Sequence, residues 1–283
     1  MSEMTIRDNT ATLVSARIAA NRRPGGIPPW LRWGSWVPTL ITFVIAALLW
    51  QLVAWTNPYV LPALGDIGAS LAADAGMYWS NFLVTLLEVV VGASAGILAG
   101  FALAVVMAEF QIIERAVMPL VIIVMVTPIV AIAPALVVAF GFGMIPKFIV
   151  TGLVVFFPML VNSLAGLRDV DQKALDVFRT LHASRWEIFR ELRFPGSMPY
   201  VFAGLRIALP LAVVGAAVAE FVAAGQQAGL GSLVTTSAAQ ANLPVTWASI
   251  ALLCLLGVLL IVVLAVVRKR VLWWSDGDVT AKG

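Results

Sequence analysis

Six runs of apolar residues, each close to the length that crosses a bilayer, leave this chain few folds to choose from. They fall at about 37–56, 81–108, 116–140, 146–165, 200–224 and 245–267. A hydrocarbon core about 30 Å thick takes about 20 helical residues, and in lipid every backbone polar group must be satisfied within its own segment. The expected architecture is therefore all-α and transmembrane, a six-helix bundle. Residues 1–35 form a polar tail rich in Arg and expected to be disordered, 36–274 the membrane domain, and 275–283 a second tail. The tail has no early apolar core and is not expected to be a cleavable signal peptide. Residues 66–77, between the first two runs, are too short and polar to cross and read as an interfacial helix.

Sidedness comes from where the Lys and Arg residues fall, because cytoplasmic flanks are enriched in them. The N-terminal tail, Arg115, the 166–199 interval and Arg268-Lys269-Arg270 lie on one side; the other offers only Lys147, at its edge. Both termini and the 166–199 loop are accordingly expected in the cytoplasm. The formal net charge of +3 belongs to those flanks and does not point to nucleic acid.

The 166–199 loop concentrates charge that a chain 61% hydrophobic and 12% charged otherwise avoids. It reads as two short helices. Asp171 caps the first, whose apolar positions Leu175, Phe178 and Leu181 recur at i, i+3. Ser184 with Glu187 is a capping-box pattern for the second, with Trp186, Phe189 and Leu192 repeating the spacing. Pro195 and Pro199 are expected to break it before the next apolar run. Pattern alone leaves a docking surface and an ordinary interfacial loop both open.

Ionisable groups within a bilayer are costly, so Glu88 and Glu220, the clear examples, are candidates for lining a path; structural carboxyls bonded to a neighbouring helix are the alternative. Given the span directions, both lie in the half away from the 166–199 loop. Residues 225–231, after Glu220, could form a gate. Pro128, Pro134, Pro158 and Pro210 are expected to kink their helices and let them enclose a conduit, with Thr127 and Asn162 as polar lining or as residues bonded to their own backbone. No phosphate-binding loop, catalytic triad or metal-ligand set is present in the sequence, and the single His and single Cys do not make one. No catalytic residue, metal or cofactor is expected on this chain.

The run Asp176-Val177-Phe178-Arg179-Thr180-Leu181-His182-Ala183-Ser184-Arg185-Trp186, followed by Phe194-Pro195 and Pro199, resembles the EAA loop of permease subunits of ATP-binding-cassette importers. Asp176 stands where the motif has Glu, Val177 and Phe178 where it has two Ala, and His182 where it has Gly. His is enriched at positive φ, which makes His182 an acceptable turn residue. Further likeness runs through Gly141-Phe142-Gly143, Phe157-Pro158, Gly204-Leu205-Arg206, Ala219-Glu220-Phe221 and Gly229-Leu230-Gly231, and is to the nitrate, sulfonate, taurine and thiamine-pyrimidine branch.

The resemblance implies a permease in the bacterial inner membrane whose loop is a cytoplasmic coupling helix. ATPase-docking residues would be Asp176, Val177, Phe178, Arg179, Leu181, His182, Ala183, Ser184 and Arg185. Implied partners are two copies of an ABC ATPase carrying ATP and Mg, a second permease copy, an extracytoplasmic binding protein, and membrane lipid. Glu88 in its sequence context leans the substrate toward a thiamine-pyrimidine or flavin-like heterocycle, and two outer-half carboxylates with almost no cations disfavour a small anion. Small anions such as nitrate, sulfonate, taurine or bicarbonate are the second reading. From another class, the rival is a secondary transporter in which Glu88 and Glu220 carry protons.

Overall fold

A computed structural model describes residues 33–222 and 229–272. The tails expected over 1–35 and 275–283 lie outside these residues, apart from 33–35. So do 223–228, which hold most of the expected gate. Eleven α-helices are described: α1 Trp33–Thr56, α2 Leu64–Ala73, α3 Ala75–Glu109, α4 Gln111–Val126, α5 Ile129–Phe140, α6 Met144–Arg168, α7 Gln172–Thr180, α8 Arg185–Ile188, α9 Phe194–Val222, α10 Leu230–Ala239 and α11 Leu243–Val271.

The chain divides into two units, the first ending at Pro58. In the first, α1 is apolar on all sides and exposes Phe43, Leu48 and Leu52, as a lipid-facing helix does. Its Pro38 carbonyl accepts from Thr42 Oγ1 at 2.9 Å.

In the second unit α3, α6 and α9 make the most extensive interhelical contacts. Their approach is set by glycines. Gly92, Gly96 and Gly100 recur every fourth residue along one face of α3, and a Cβ on Gly96 would lie 2.2 Å from the Gly152 carbonyl oxygen of α6. Between membrane helices there is little hydrophobic drive, so close backbone approach and the dispersion contacts it brings hold the pair. The buried cluster around Val89, Ala93, Val155, Met159, Ala212 and Leu256 fills what remains.

Five described helices are long and apolar enough to cross a membrane, and a sixth span exists if α4 and α5 are taken together. That pair corrects the expected 116–140 span. It is bent by 96° at Thr127-Pro128, a broken span or a re-entrant loop. The cause is local: the residue before a proline is pushed out of the α region, and Thr127 has φ −68, ψ 128 while Pro128 has φ −61, ψ 114. Pro134, Pro158 and Pro210 sit inside α5, α6 and α9, which run on through them.

A second correction concerns Pro195 and Pro199. They do not break the chain, because α8, a π-helical turn Phe189–Arg193 and α9 follow without interruption. Pro195 has no N–H to return to the turn before it, and the helix accommodates this at the π turn, where the Phe194 N–H donates to Phe189 O. The helix expected over 66–77 is α2 together with the opening of α3.

Candidate functional site

Two places in the second unit carry chemistry, one at each end of α3, α6 and α9. The end at the 166–199 loop is fixed by local signals. Asp171 accepts the Lys173 N–H at 3.0 Å and opens α7. At its other end the Ala183 N–H donates to Phe178 O and the His182 N–H to Arg179 O, both at 3.0 Å, with His182 at φ 54. That is a Schellman turn with His in the place usually taken by Gly. Ser184 then closes a reciprocal capping box with Glu187: the Glu187 N–H donates to Ser184 Oγ, and the Ser184 N–H to Glu187 Oε2 at 2.7 Å. The corner between α7 and α8 is thus specified within six residues of sequence.

The corner decides which side chains face out. Leu175 packs inward and Phe178 is half-buried, but Leu181, expected on their face, is 73% exposed. The helix ends at Thr180, so Leu181 belongs to the turn and not to the apolar stripe. Trp186, 66% exposed, stacks on Phe189 with ring centroids 5.6 Å apart. Val177, Leu181 and Trp186 form an outward apolar rim, and Asp176, Arg179 and Arg185 stand exposed beside it. The loop is tied to α3 by Arg193 Nη1, which donates to Glu109 Oε1 at 2.7 Å.

The other end lies several helical turns away. Glu88 is 21 residues before Glu109 along α3, and Lys147 is 21 residues before Arg168 along α6. At 1.5 Å per residue each lies about 30 Å from the loop end, one hydrocarbon thickness away. Glu220, 26 residues after Phe194 on α9, lies about 40 Å away. All three are fully or almost fully buried.

Lys147 is the main correction to the sequence reading. It is no flank residue, since its side chain is 1% exposed and Nζ donates to Glu88 Oε1 at 2.8 Å. Because α6 begins at Met144, Lys147 belongs to its first turn and turns onto α3. The signal was available: Glu88 alone in its span, and one cation alone on the outer side.

Glu220 has different partners. Gly229 precedes α10 and has no side chain to cap it, so the first N–H groups of α10 need acceptors from elsewhere. The Gly231 N–H and, at 3.1 Å, the Ser232 N–H donate to Glu220 Oε2. The Leu230 N–H donates to Thr85 Oγ1 at 2.8 Å, whose hydroxyl donates to Glu220 Oε1 at 2.7 Å. Glu220 of α9 and Thr85 of α3 together act as a remote N-cap, and the positive end of the α10 dipole favours the carboxylate. A Cβ on Gly229 would lie 2.0 Å from Glu220 Oε1, so only Gly fits. Thr85 was missed from sequence, although it stands three residues before Glu88 and so on the same face of α3.

The two carboxylates are electrostatic neighbours. Each has its own compensation, Lys147 for Glu88 and the α10 N-terminus for Glu220. Thr127 and Asn162 are not drawn into this cluster; Thr127 Oγ1 donates to Ile123 O at 3.0 Å and Asn162 Nδ2 to Pro158 O at 2.8 Å, each within its own helix or at its end. Among the described residues no group of three or more His, Cys, Asp or Glu could hold a metal ion.

Membrane-length helices, a two-helix corner at one end and a buried polar lock at the other describe a membrane-embedded subunit, and the family to which it belongs is one of transport permeases. The chain belongs to the family of binding-protein-dependent transport system inner membrane components, whose model matches residues 96–272. It is 33% identical over 225 residues to the formylaminopyrimidine transport permease protein ThiX of Halalkalibacterium halodurans, covering 78% of this chain and 89% of that one. It is 27% identical over 240 residues to the riboflavin transport system permease protein RibX of Chloroflexus aurantiacus, covering 83% and 89%. Identity to the taurine transport system permease protein TauC of Escherichia coli is 25% over 259 residues, covering 86% and 94%. The chain is thus an ABC importer permease, multi-pass in the bacterial inner membrane, as its sequence resemblance implied.

Proposed function

We propose that two copies of this chain enclose the path of an importer for a thiamine-pyrimidine or flavin-like heterocycle. Each copy docks one ATPase, which holds ATP and Mg, through Asp176 to Arg185. An extracytoplasmic binding protein delivers the solute on the opposite face, and both termini lie with the loop in the cytoplasm. The observation that carries the docking is the corner at His182 and Ser184. It is locked by a Schellman turn and a capping box, yet it turns Val177, Leu181 and Trp186 out into solvent. A stiff corner with an uncovered apolar rim transmits motion from a partner only if the partner covers it.

Leu181→Asp tests this without disturbing the fold, since Leu181 is exposed in the free chain. Burying a Leu side chain is worth about 1.5–3 kcal/mol, and a carboxylate in its place removes that and adds desolvation. Co-purification with the ATPase is expected to fall at least tenfold with membrane insertion unchanged. Undiminished co-purification of this variant would end the docking assignment.

The heterocycle reading is supported by the relatives named for formylaminopyrimidine and riboflavin, the former at 33% identity. The charge argument against small anions is weaker than the sequence indicated, because Lys147 neutralises Glu88. The taurine relative keeps the anion reading in play at lower identity. Binding measurements on the partner binding protein, with pyrimidines, flavins, taurine and nitrate side by side, separate the two. The proton-coupled carrier is left without support by membership of a binding-protein-dependent family.

In this importer Glu88, Glu220, Thr127 and Asn162 remain the proposed path residues, with Glu220 acting through its hold on α10. Glu220→Gln keeps the shape and removes the charge. Loss of a charge-assisted hydrogen bond is worth about 1.5–3 kcal/mol, enough to slow uptake about tenfold or more if α10 must be held in the cycle. Uptake into vesicles containing permease, ATPase and loaded binding protein measures it; assembly is expected to be unchanged. Wild-type uptake by this variant would take Glu220 out of the transport cycle.

A further inference from the structure

A cleft of about 730 Å³ opens beside the 166–199 loop, walled by the end of α3, the start of α4 and the α6–α7 junction. Three guanidiniums line it, those of Arg115, Arg168 and Arg193. Arg168 is paired with Glu114 through both carboxylate oxygens, and Arg193 with Glu109. Arg115 makes no ion pair or hydrogen bond among the described residues. Three positive charges against two negative ones leave one uncompensated. The Arg193 Nε–H is also buried without an acceptor among the described residues.

The rest of the lining is apolar, and its direction matters. Met118 and Ile122 continue the α4 wall away from the loop, Ile122 lying seven residues past Arg115. At 1.5 Å per residue that is about 10 Å further along α4 from the charged end. Beyond it Ile123 and Val126 are exposed on α4. The cleft therefore has a cationic mouth beside the charged loop and an apolar floor that runs away from it along α4.

We propose that this cleft binds one anionic phospholipid, its phosphodiester held by Arg115 and Arg193 and its acyl chain lying along Met118 and Ile122. A phosphodiester carries the single negative charge that the three arginines and two glutamates leave unmatched, and its oxygens suit guanidinium forks. Basic pockets between membrane helices take lipid headgroups on the same grounds. A free phosphate would use none of the apolar floor. A protein segment on that floor would have to satisfy every backbone polar group within itself, a demand that an acyl chain does not carry. Neither the importer's substrate nor the ATPase docking enters this argument, so its test stands apart from both.

The test is native mass spectrometry of the full chain purified in neutral detergent. It is titrated with phosphatidylglycerol, with phosphatidylcholine of the same acyl chains, and with inorganic phosphate. One phosphatidylglycerol per chain is expected to be retained, with phosphatidylcholine at least tenfold weaker. Arg115→Gln should weaken phosphatidylglycerol about tenfold and Ile122→Asn severalfold. Arg206→Gln, which removes an exposed α9 cation outside the cleft, should leave binding unchanged. Four results would overturn the proposal: equal binding of the two lipids; unchanged binding by Arg115→Gln; displacement of the lipid by inorganic phosphate at comparable concentration; or its displacement by the partner ATPase, which would make the cleft a protein contact.

Discussion

Lys147→Met is expected to destabilise the protein by about 3–5 kcal/mol, because it leaves the Glu88 carboxylate buried without its counter-charge. The Nζ to Glu88 distance of 2.8 Å and the burial of both side chains put this pair in the class where breaking one half is far worse than never having built it. The double variant Lys147→Met with Glu88→Leu should therefore recover most of the loss. Thermal unfolding of the four proteins in detergent closes the cycle. A coupling energy near zero would show that Lys147 and Glu88 do not depend on each other. If the pair is only structural, the double variant should also transport. Recovered stability with lost uptake would instead place the charges on the solute path.

Gly96→Ala is the other change with a large expected effect, although it adds one methyl group. That methyl would sit 2.2 Å from the Gly152 carbonyl oxygen, against backbone that has no side chain to swing aside. Ordinary overpacking costs about 1–3 kcal/mol, and a backbone clash at the most heavily used interface of the second unit should exceed it. The expected result is loss of monodisperse protein or a melting temperature lowered by several degrees. Gly65→Ala, where a Cβ meets nothing within 4 Å, is the matched control and should behave as wild type. A Gly96→Ala protein as stable as that control would mean that α3 and α6 are not held by this close approach.

No local pattern pairs Lys147 with Glu88, and the Gly92-Gly96-Gly100 spacing marks a packing face without naming the helix it meets, whereas the loop was read residue by residue. Asp171, His182, Ser184 and Glu187 take the roles their types and spacing indicate, because a cap or a left-handed turn is settled by groups within six positions along the chain. Even there, sequence misplaced Leu181: the stripe was extended one residue past the end of α7, and the turn carried that side chain outward. At Pro128 the chemistry of the break was legible, but the 96° between α4 and α5 was not.

What the sequence determined by itself was the class of protein, the positions of the membrane-length segments other than the bent α4–α5 pair, and the local signals of the loop, since these depend on apolar length and neighbouring residues. Tertiary structure alone decided the partners at the far end. Lys147 and Glu88 are 59 residues apart and Thr85 and Glu220 are 135 apart, and they meet only because glycines let α3 close on α6 and α9 packs against both. In a soluble helix an apolar stripe would have pointed to the buried face. In a membrane the lipid-facing and core-facing sides are both apolar, so periodicity names neither, and the pairing of charges waits on the packing.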